Sequence, residues 1–269
     1  MRTGTVFLHA GACWLTLAVI LFGCAGQSAQ EAAPLRPPET ESQLDWHPGS
    51  AEPNHLALAR DLIWQGHYSV ALRQLELAVQ ADENGPEPYY LMGMCHRKIG
   101  DAAKARENFR RAIRMDRGYA AAYNGLGIVC FKAGQYPEAH KALSKAVALN
   151  PANPDFLNNL GVLEMRTHRA KAALNRFEQC LKIVPDYGPV KNNLAECLVR
   201  LGRDNAALSF LQRHFPPAVA CNNLGAIYER VGYPSQARGM FLRALEQDPD
   251  LTAARNNLNR LETKESSQP

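Results

Sequence analysis

Small and apolar positions alternate with polar ones in a pattern that returns every 34 residues along most of the chain. Gly93, Gly127 and Gly161 stand 34 residues apart, and Ala195 follows after the same interval. A fixed period of this length is typical of a chain that stacks one short structural unit many times. Gly225 comes only 30 residues after Ala195, so one unit is shorter than the others.

Two further columns keep this step, one of alanine and one of leucine or phenylalanine placed four residues later. Apolar residues four positions apart share one face of a helix. Each unit is therefore predicted to contain two short amphipathic helices, with the large side chain filling the space between them. The columns are Ala71, Ala105, Ala139, Ala173, Ala207 and Ala237, and Leu75, Phe109, Leu143, Phe177, Leu211 and Phe241.

Prolines and glycines mark the ends of the predicted helices. Pro151, Pro185 and Pro249 close three of the units, since proline does not continue a helix. A glycine column precedes the turn between the two helices, where a helix C-terminus requires a positive φ. His168 is the exception in that column, which otherwise consists of Gly66, Gly100, Gly134, Gly202 and Gly232.

The pattern resembles the tetratricopeptide repeat, a helix–turn–helix unit of 34 residues. In residues 218–251 seven positions match the family's markers, although a cysteine replaces the first aromatic residue. The matching residues are Cys221, Leu224, Gly225, Tyr228, Ala237, Phe241 and Pro249. The resemblance implies an all-α superhelix over residues 54–263, with a capping helix at 252–263 and a polar tail at 264–269. The predicted units are 52–85, 86–119, 120–153, 154–187, 188–217 and 218–251.

Three features depart from the family pattern. Glu164 stands where the family has a buried tyrosine, and Lys191 stands where an aromatic residue is usual. The unit 188–217 lacks four residues, which is about one helical turn. We expect a truncated second helix there and a local change in the curve of the superhelix. Simple drift of the repeat and a functional kink are both compatible with this departure.

The N-terminal stretch has the pattern of a secretion signal, because Arg2 is followed by an apolar run from Trp14 to Phe22. Leu21-Phe22-Gly23-Cys24 resembles the lipobox of bacterial lipoproteins, although Phe22 is unusual at its position. This resemblance implies a signal peptide at 1–23, cleaved by signal peptidase II, and lipidation of Cys24. An ordinary signal, or an uncleaved anchor with an incidental cysteine, is the alternative.

The residues after Cys24 favour a location at the periplasmic face of the outer membrane. Ala25 replaces the aspartate that retains Gram-negative lipoproteins at the inner membrane, by resemblance to their sorting rule. Residues 24–53 are rich in proline, glutamine, serine and glutamate, and such a composition predicts a flexible to semi-extended tether. The repeats would thus be held away from a membrane to which acyl chains attach them.

Charge and cysteine content exclude some classes of function. The chain has 30 Lys and Arg against 26 Asp and Glu, and removal of residues 1–23 takes away only Arg2. The remaining excess of about three positive charges is too small to predict a nucleic-acid partner. Buried apolar cysteine is the expected state of the cysteines in the repeats. A disulfide between Cys95 and Cys130 is the alternative, since adjacent first helices pack together.

No catalytic motif is found in the sequence. HExxH, CxxC, Walker and G-x-S-x-G patterns are missing, and the eight histidines show no metal-ligand spacing. Gly125-Leu-Gly127 begins like a dinucleotide fingerprint but lacks its third glycine and a preceding strand. We therefore expect no enzyme activity, cofactor, metal or small-molecule substrate. An enzyme site composed of distant residues stays open as an alternative.

Paired asparagines and a basic column suggest a binding surface, because the family's first helices line the inner side of its superhelix. An amide both donates and accepts hydrogen bonds, so a row of amides can bind an extended peptide backbone. Nearby basic residues would favour acidic partners. Alternatively, these residues only cap, solvate or bond locally. The predicted groove residues are Asn124, Asn158, Asn159, Asn192, Asn193, Asn222, Asn223, Lys98, Lys132, Arg166, Arg200 and Arg230.

These features together favour a lipid-anchored scaffold that binds protein segments in the bacterial envelope. The repeats and lipobox resemble the tetratricopeptide lipoproteins that accompany type IV or Tad pilus machines and help a secretin channel assemble. Nothing in the residues selects a secretin or pilus component over other clients. An adaptor for cell-wall enzymes or for envelope quality control is the second hypothesis, and an enzyme with a composite site is the third.

Overall fold

A computed structural model of the chain describes residues 54–81 and 85–266, and within them all regular structure is α-helical. The predicted signal peptide, Cys24 and the whole tether to residue 53 lie outside the described residues. The first helices of the units are α1 (His55–Trp64), α3 (Pro86–Ile99), α5 (Ala120–Lys132), α7 (Pro154–Arg166), α9 (Gly188–Arg200) and α11 (Pro217–Val231). The second helices are α2 (Tyr68–Gln80), α4 (Ala102–Met115), α6 (Tyr136–Leu149), α8 (Ala170–Ile183), α10 (Asp204–His214) and α12 (Pro234–Gln247), and α13 (Thr252–Ser266) ends the fold.

The helices form two layers. Each first helix packs against the second helix of its own unit, and that second helix packs against the next first helix. Neighbouring first helices also contact one another from α1 to α13, whereas within the described residues the second helices make no such contacts. The first helices are therefore the closely spaced inner layer of a solenoid, and the second helices form its outer layer. The predicted all-α repeat solenoid is confirmed.

Both predicted apolar columns form the core. Every alanine of the alanine column is completely buried, and so is every leucine or phenylalanine four residues later, to within 1%. Gly161 and Gly225 explain the small-residue column, because a Cβ atom at either position would lie 2.6 Å from the ring of Phe177 or Phe241. Close approach of the two helices in a unit thus depends on the missing side chain.

The first helices end at the predicted glycine column, and capping side chains mark the start of some helices. All five glycines of the turn column have positive φ, from 69° to 98°. His168 occupies the same conformation with φ of 59° and is the single non-glycine residue with positive φ in the described residues. Asp101 caps α4 by accepting a hydrogen bond from the Lys104 amide, and Asn153 caps α7 by accepting from two amides. Such caps satisfy amides that have no partner inside the helix.

The short unit contains a short second helix, as the spacing predicted. Helix α10 has 11 residues, whereas α8 and α12 have 14 residues each. The flanking first helices, α9 and α11, contact each other more extensively than other neighbouring first helices do. The lost turn therefore changes how α11 lies against α9.

The C-terminal helix covers the end of the solenoid. Ala254, Leu258 and Leu261 of α13 are buried against the last unit, while its other face is exposed. The helix continues to Ser266, beyond the predicted end at 263, so the predicted polar tail begins inside it. A polar outer face on the terminal helix is what a solenoid requires for solubility.

The hypothesis of a Cys95–Cys130 disulfide is wrong. Cys95, Cys130, Cys180, Cys197 and Cys221 are all free and buried. Burial raises the pKa of the Cys95 thiol to about 12 and that of the Cys197 thiol to about 12. These thiols remain protonated at neutral pH and pack as small apolar side chains, because the core offers nothing to stabilise a thiolate.

Candidate functional site

The paired asparagines lie on the first helices and thus along the inner layer. Asn124 belongs to α5, Asn158 and Asn159 to α7, Asn192 and Asn193 to α9. Residues 222 and 223 continue the two columns on α11, and 256 and 257 continue them on α13. Because neighbouring first helices touch, the amide of one unit can reach the amide of the next. The structure brings the predicted columns together in this way.

Most of the asparagines bond to each other across the repeats. Asn159 Nδ2 donates to Asn124 Oδ1 at 3.0 Å, and Asn193 Nδ2 donates to Asn158 Oδ1 at 3.1 Å. Asn257 Nδ2 donates to Asn222 Oδ1 at 2.9 Å. Each bond joins residues 35 positions apart. We call each of these three amide–amide bonds a rung.

The rung expected between α9 and α11 is missing. Its members would be Asn192 and Asn223, which stand 31 positions apart. Asn192 Oδ1 is buried and has no hydrogen-bond partner. The described residues provide no hydrogen bond to the half-buried Asn223 side chain either. We call this pair the amide gap, and it coincides with the unit that lacks one helical turn.

Part of the predicted basic column is neutralised from within the inner layer. Glu196 is only 2% exposed and its Oε1 accepts from Arg200 Nε at 2.9 Å and from Arg200 Nη2 at 2.7 Å. Its Oε2 accepts from Arg230 Nη1 at 2.7 Å. One buried carboxylate thus holds two of the predicted basic residues, which leaves them less available to an acidic partner.

The other members of the basic column differ in exposure. Lys132 and Arg166 are exposed near the C-terminal ends of α5 and α7, and Lys98 is half-buried near the end of α3. The apolar residues beside this column contribute to packing, because Met165 and Val199 are buried. The structure therefore separates an exposed basic stretch from the Arg200–Arg230 pair held by Glu196.

The sequence analysis did not identify Glu196 as a functional candidate. It stands where α5 and α7 have Ile128 and Val162, so the apolar column gave no reason to expect a carboxylate. The spacing of four residues to Arg200 was the available signal, since such pairs meet on a helix. Its second partner, Arg230, lies on another helix and could be found only from the packing.

The two family departures are accommodated differently. Lys191 Nζ lies 3.1 Å from Asp186 Oδ1 and 5.8 Å from the ring centroid of Phe215. Glu164 is 2% exposed, and its nearest basic groups are the His140 ring, with Nε2 at 3.8 Å, and the Arg176 guanidinium, with Nε at 3.9 Å. Its Oε2 accepts no hydrogen bond. Burial raises the pKa of the Glu164 carboxyl, and the nearby cations oppose this only in part.

A separate groove lies on the other face of α9. It has a volume of about 390 Å³ and is lined in part by Leu194 and Leu198 of α9, Leu181 of α8 and Phe210 of α10. Since successive residues of a helix turn by about 100°, the two leucines point away from Glu196. This groove and the amide columns are therefore different surfaces of the short unit.

The described residues hold no cluster of acidic, histidine or cysteine side chains that could bind a metal. No helix within 54–81 and 85–266 is long and apolar enough to span a bilayer. The polar groups on the inner layer include amides, guanidinium and ammonium groups, and paired carboxylates such as those of Glu196 and Glu229. Such groups form reversible hydrogen bonds and ion pairs with a partner.

The fold and the inner layer define the chain as an all-α repeat solenoid, a class whose stacked units create extended binding surfaces. Four tetratricopeptide-repeat family models match residues 86–152, 126–179, 164–230 and 220–254. The chain therefore belongs to the tetratricopeptide-repeat family over residues 86–254. Repeats of this family are modules for protein–protein interaction. No curated protein shows significant sequence similarity to the chain.

Several solved structures share the fold at low sequence identity. YrrB, described as a tetratricopeptide-repeat protein with an unusual peptide-binding site, is 22% identical, with a TM-score of 0.54, covering 68% of this chain and 96% of YrrB. MamA from Desulfovibrio magneticus is 21% identical (TM-score 0.54, covering 61% and 92%). PilF from Pseudomonas aeruginosa is 17% identical (TM-score 0.58, covering 75% and 94%).

Proposed function

We propose that the chain is a non-enzymatic scaffold that binds extended segments of partner proteins along its inner layer. The observation that carries the proposal is the continuous series of asparagine amides on adjoining first helices. A rung uses one N–H of one amide and one oxygen of the other. Each amide has further donor or acceptor capacity. Asn158, Asn159 and Asn222 are buried, whereas the half-buried Asn124, Asn192, Asn193 and Asn223 can bond a peptide backbone without regard to its side chains.

Charge modulates this binding instead of dominating it. Exposed Lys132 and Arg166 favour acidic side chains near the middle of the chain. Arg200 and Arg230 already contact Glu196, so an acidic partner must compete with a buried carboxylate there. We expect a preference for acidic segments that is strongest at α5 and α7 and that weakens as salt screens the exposed charges.

A triple variant tests the inner layer. Asn159→Ala, Asn193→Ala and Asn223→Ala together should weaken capture of partners while leaving helix content near wild type, because alanine favours helices. The matched control replaces Asn108, Asn175 and Asn205 by alanine, since all three lie on second helices, where Asn175 and Asn205 are exposed and Asn108 is half-buried. The comparison is made well below the melting temperature of each variant. Equal capture by both triple variants would remove the inner layer as the binding surface.

The location in the envelope is part of the proposal. The lipobox pattern at Cys24 and the proline-rich residues that follow support a lipid anchor at the outer membrane, with the repeats held off its periplasmic face. Cys24→Ser should move the protein from the membrane fraction to the soluble periplasmic fraction, with partner binding retained. A variant that is cleaved after Gly23 yet stays with the membrane would refute lipid anchoring.

The partner we propose is a component of a pilus machine, such as a secretin. The lipobox resemblance supports this choice, and the fold shared with PilF is compatible with it. The test is capture of the lipidated protein from its native cells in mild detergent, followed by mass spectrometry. Pilus or secretin subunits lost in the inner-layer triple variant would support the proposal. Recovery of cell-wall enzymes in their place would favour the adaptor hypothesis.

A further inference from the structure

The first helix of the solenoid has an apolar side without a cover. Within the described residues α1 packs against α2 and α3, whereas every later first helix also packs against the second helix that precedes it. Leu58 of α1 is therefore 44% exposed. Its equivalents along the chain are the half-buried Met92 and Leu126, and the buried Leu160, Leu194, Leu224 and Leu258. We call the exposed side of α1 that bears Leu58 and Leu62 the open end.

The junction of α8 with α9 shows what occupies this position in a later unit. On α9 the two equivalent residues are Leu194 and Leu198. Leu181, near the end of α8, lines the same groove as these two leucines and stands four residues before Pro185. The same spacing is found for Val147 before Pro151 and for Leu245 before Pro249. A second helix thus meets the next first helix with an apolar residue four positions before the proline that closes its unit.

The chain repeats this spacing in the residues that lead into α1, which lie outside the described residues. Leu44 stands four residues before Pro48, and Trp46 lies between them. Pro48 precedes Leu58 by ten residues, one more than separates the later prolines from their leucines. Six residues, 48–53, join this segment to Asn54, and they span at most about 20 Å. The segment therefore has to lie near the open end.

Residues 39–47 also have the pattern of a short helix. They contain no proline and follow Pro38, a residue type that favours the first helical position. Glu39 and Glu41 would lie in the first turn, where negative charge is stabilising. A helix of this length is marginal in water alone, because its few hydrogen bonds do not offset the cost of nucleation. It needs an apolar surface to pack against, and the open end is such a surface.

We infer that residues 39–47 form a covering helix that docks on the open end of the solenoid. Leu44 packs against Leu58 and Leu62 there, in the way that α8 packs on α9. Because a short connection gives a tethered segment an effective concentration of about millimolar order, this segment outcompetes a second copy of the chain for the open end. The covering helix closes the N-terminal end of the solenoid as α13 closes its C-terminal end.

Docking changes what the N-terminal residues can do. Only residues 24–38 remain as a tether, so a lipid on Cys24 would hold the first repeat closer to the membrane than the whole stretch 24–53 would allow. This consequence rests on the proposed lipid anchor. The docking itself depends neither on the anchor nor on the inner layer.

The test uses Trp46 as the reporter in the full chain purified in detergent. Trp14→Phe and Trp64→Phe are introduced first, so that Trp46 is the single tryptophan of the chain. Its fluorescence emission should lie at a shorter wavelength in the native protein than in the urea-unfolded protein, and acrylamide should quench it less, because docking shields the indole from water. Equal emission and equal quenching in the two states would overturn the inference.

A pair of variants on the described helices locates the contact. Leu58→Gln should shift the Trp46 emission to longer wavelength, because it places an amide in the open end. The matched control is Val70→Gln, since Val70 is 53% exposed on α2 and its equivalents in the later second helices are exposed or half-buried. This control should leave the emission unchanged. An unchanged emission in Leu58→Gln would refute docking at the open end.

A variant in the segment itself guards against damage to α1. Leu44→Gln changes no described residue, yet it should shift the Trp46 emission as Leu58→Gln does. It should also lower the melting temperature by a few degrees, because the open end loses its cover. Circular dichroism of both variants checks that the repeats stay helical. A Leu44→Gln protein with native emission and an unchanged melting temperature would contradict the covering helix.

Dilution identifies the occupant of the open end. A segment that docks within its own chain gives an emission that does not depend on protein concentration, and light scattering should show the same mass at every concentration. If the emission moves to longer wavelength as dimers dissociate on dilution, a second copy covers the open end and the inference is wrong. These measurements need no partner protein, so their outcome is separate from that of the proposed function.

Discussion

Single residues decide how well the repeat pattern is realised in this chain. His168 shows this most directly, since it has the positive φ of 59° that glycine has in the corresponding turns. A residue with a Cβ atom is strained in that region of backbone space. Buried charge is accommodated unequally as well. Glu164 and Glu196 are both 2% exposed, but only Glu196 has guanidinium groups at hydrogen-bond distance.

His168→Gly should raise the free energy of unfolding by about 0.5–1 kcal/mol, because glycine adopts positive φ without strain and this gain exceeds its entropy cost. Thermal or urea unfolding measures the change. The matched control is Gly134→Ala, at a turn with φ of 73° where an added Cβ meets nothing within 4 Å. Its destabilisation isolates the backbone effect. A His168→Gly protein less stable than wild type would show that the imidazole makes a favourable contact.

Glu164→Gln should stabilise the protein at neutral pH by about 1 kcal/mol, because it removes a buried carboxylate that lacks a hydrogen bond at Oε2. Burial raises the pKa of this carboxyl above its usual 4.5. The folded state therefore binds the proton more tightly than the unfolded state, and stability falls as pH rises from about 4.5 through the raised pKa. Below that window the two proteins should be equally stable.

Glu196→Gln is the matched control for this measurement. It lies equally deep but has bonds of 2.7 Å to two arginines, so the change should destabilise the protein by roughly 1–3 kcal/mol. Unfolding is followed from pH 4 to pH 8 for both variants. Equal behaviour of the two glutamines would contradict the distinction between the two sites.

At the scale of the helices, neighbouring first helices are joined by more than apolar packing. The rungs tie α5 to α7, α7 to α9 and α11 to α13 through amide hydrogen bonds. The junction of α9 with α11 has instead the arginine of one helix on the glutamate of the other. The solenoid thus changes its inter-repeat contact at the short unit, where α10 has lost a turn.

The rung between α5 and α7 can be measured with a double-mutant cycle. Asn159→Ala should lower the free energy of unfolding by about 1 kcal/mol, because it leaves Asn124 Oδ1 without its donor. Asn124→Ala should cost a similar amount, and the double variant should cost less than the sum. Asn192→Ala, whose oxygen has no partner to lose, should cost clearly less than Asn159→Ala. If the losses in the free energy of unfolding of Asn124→Ala and Asn159→Ala simply added up in the double variant, the hydrogen bond between the two amides would be refuted.

At the scale of the whole molecule, stability depends on stacking from unit to unit and on the terminal helix. A repeat contacts only its neighbours, so an uncovered last unit exposes the apolar face that a further repeat would bury. Helix α13 fills this place with Ala254, Leu258 and Leu261. Two ion pairs, from Arg260 and Lys264 to Glu229 of α11, fasten its exposed side.

A truncation after Asp250 should lower the melting temperature by several degrees and promote aggregation, because α11 and α12 lose the cover of buried side chains. The accompanying loss in the free energy of unfolding scales with the apolar area that the truncation exposes, at about 25 cal/mol per Å². Calorimetry and light scattering measure the two effects. A truncation after Ser266 is the control and should melt as the full chain does. A stable, monodisperse protein truncated after Asp250 would show that α13 is not a cap.

The sequence by itself determined the repeat, its two helices and its core, because Ala173, Phe177 and their equivalents act within one unit at fixed spacing. It also indicated the short α10, since a missing turn is visible as a missing four residues. The binding residues were recognisable only as columns. Which amides bond to each other, and that Asn192 is left without a partner, was decided by the tertiary structure. The same holds for Glu196, which gathers an arginine from its own helix and one from the next, because contacts between units depend on how stacked helices lie against each other and not on spacing within a helix.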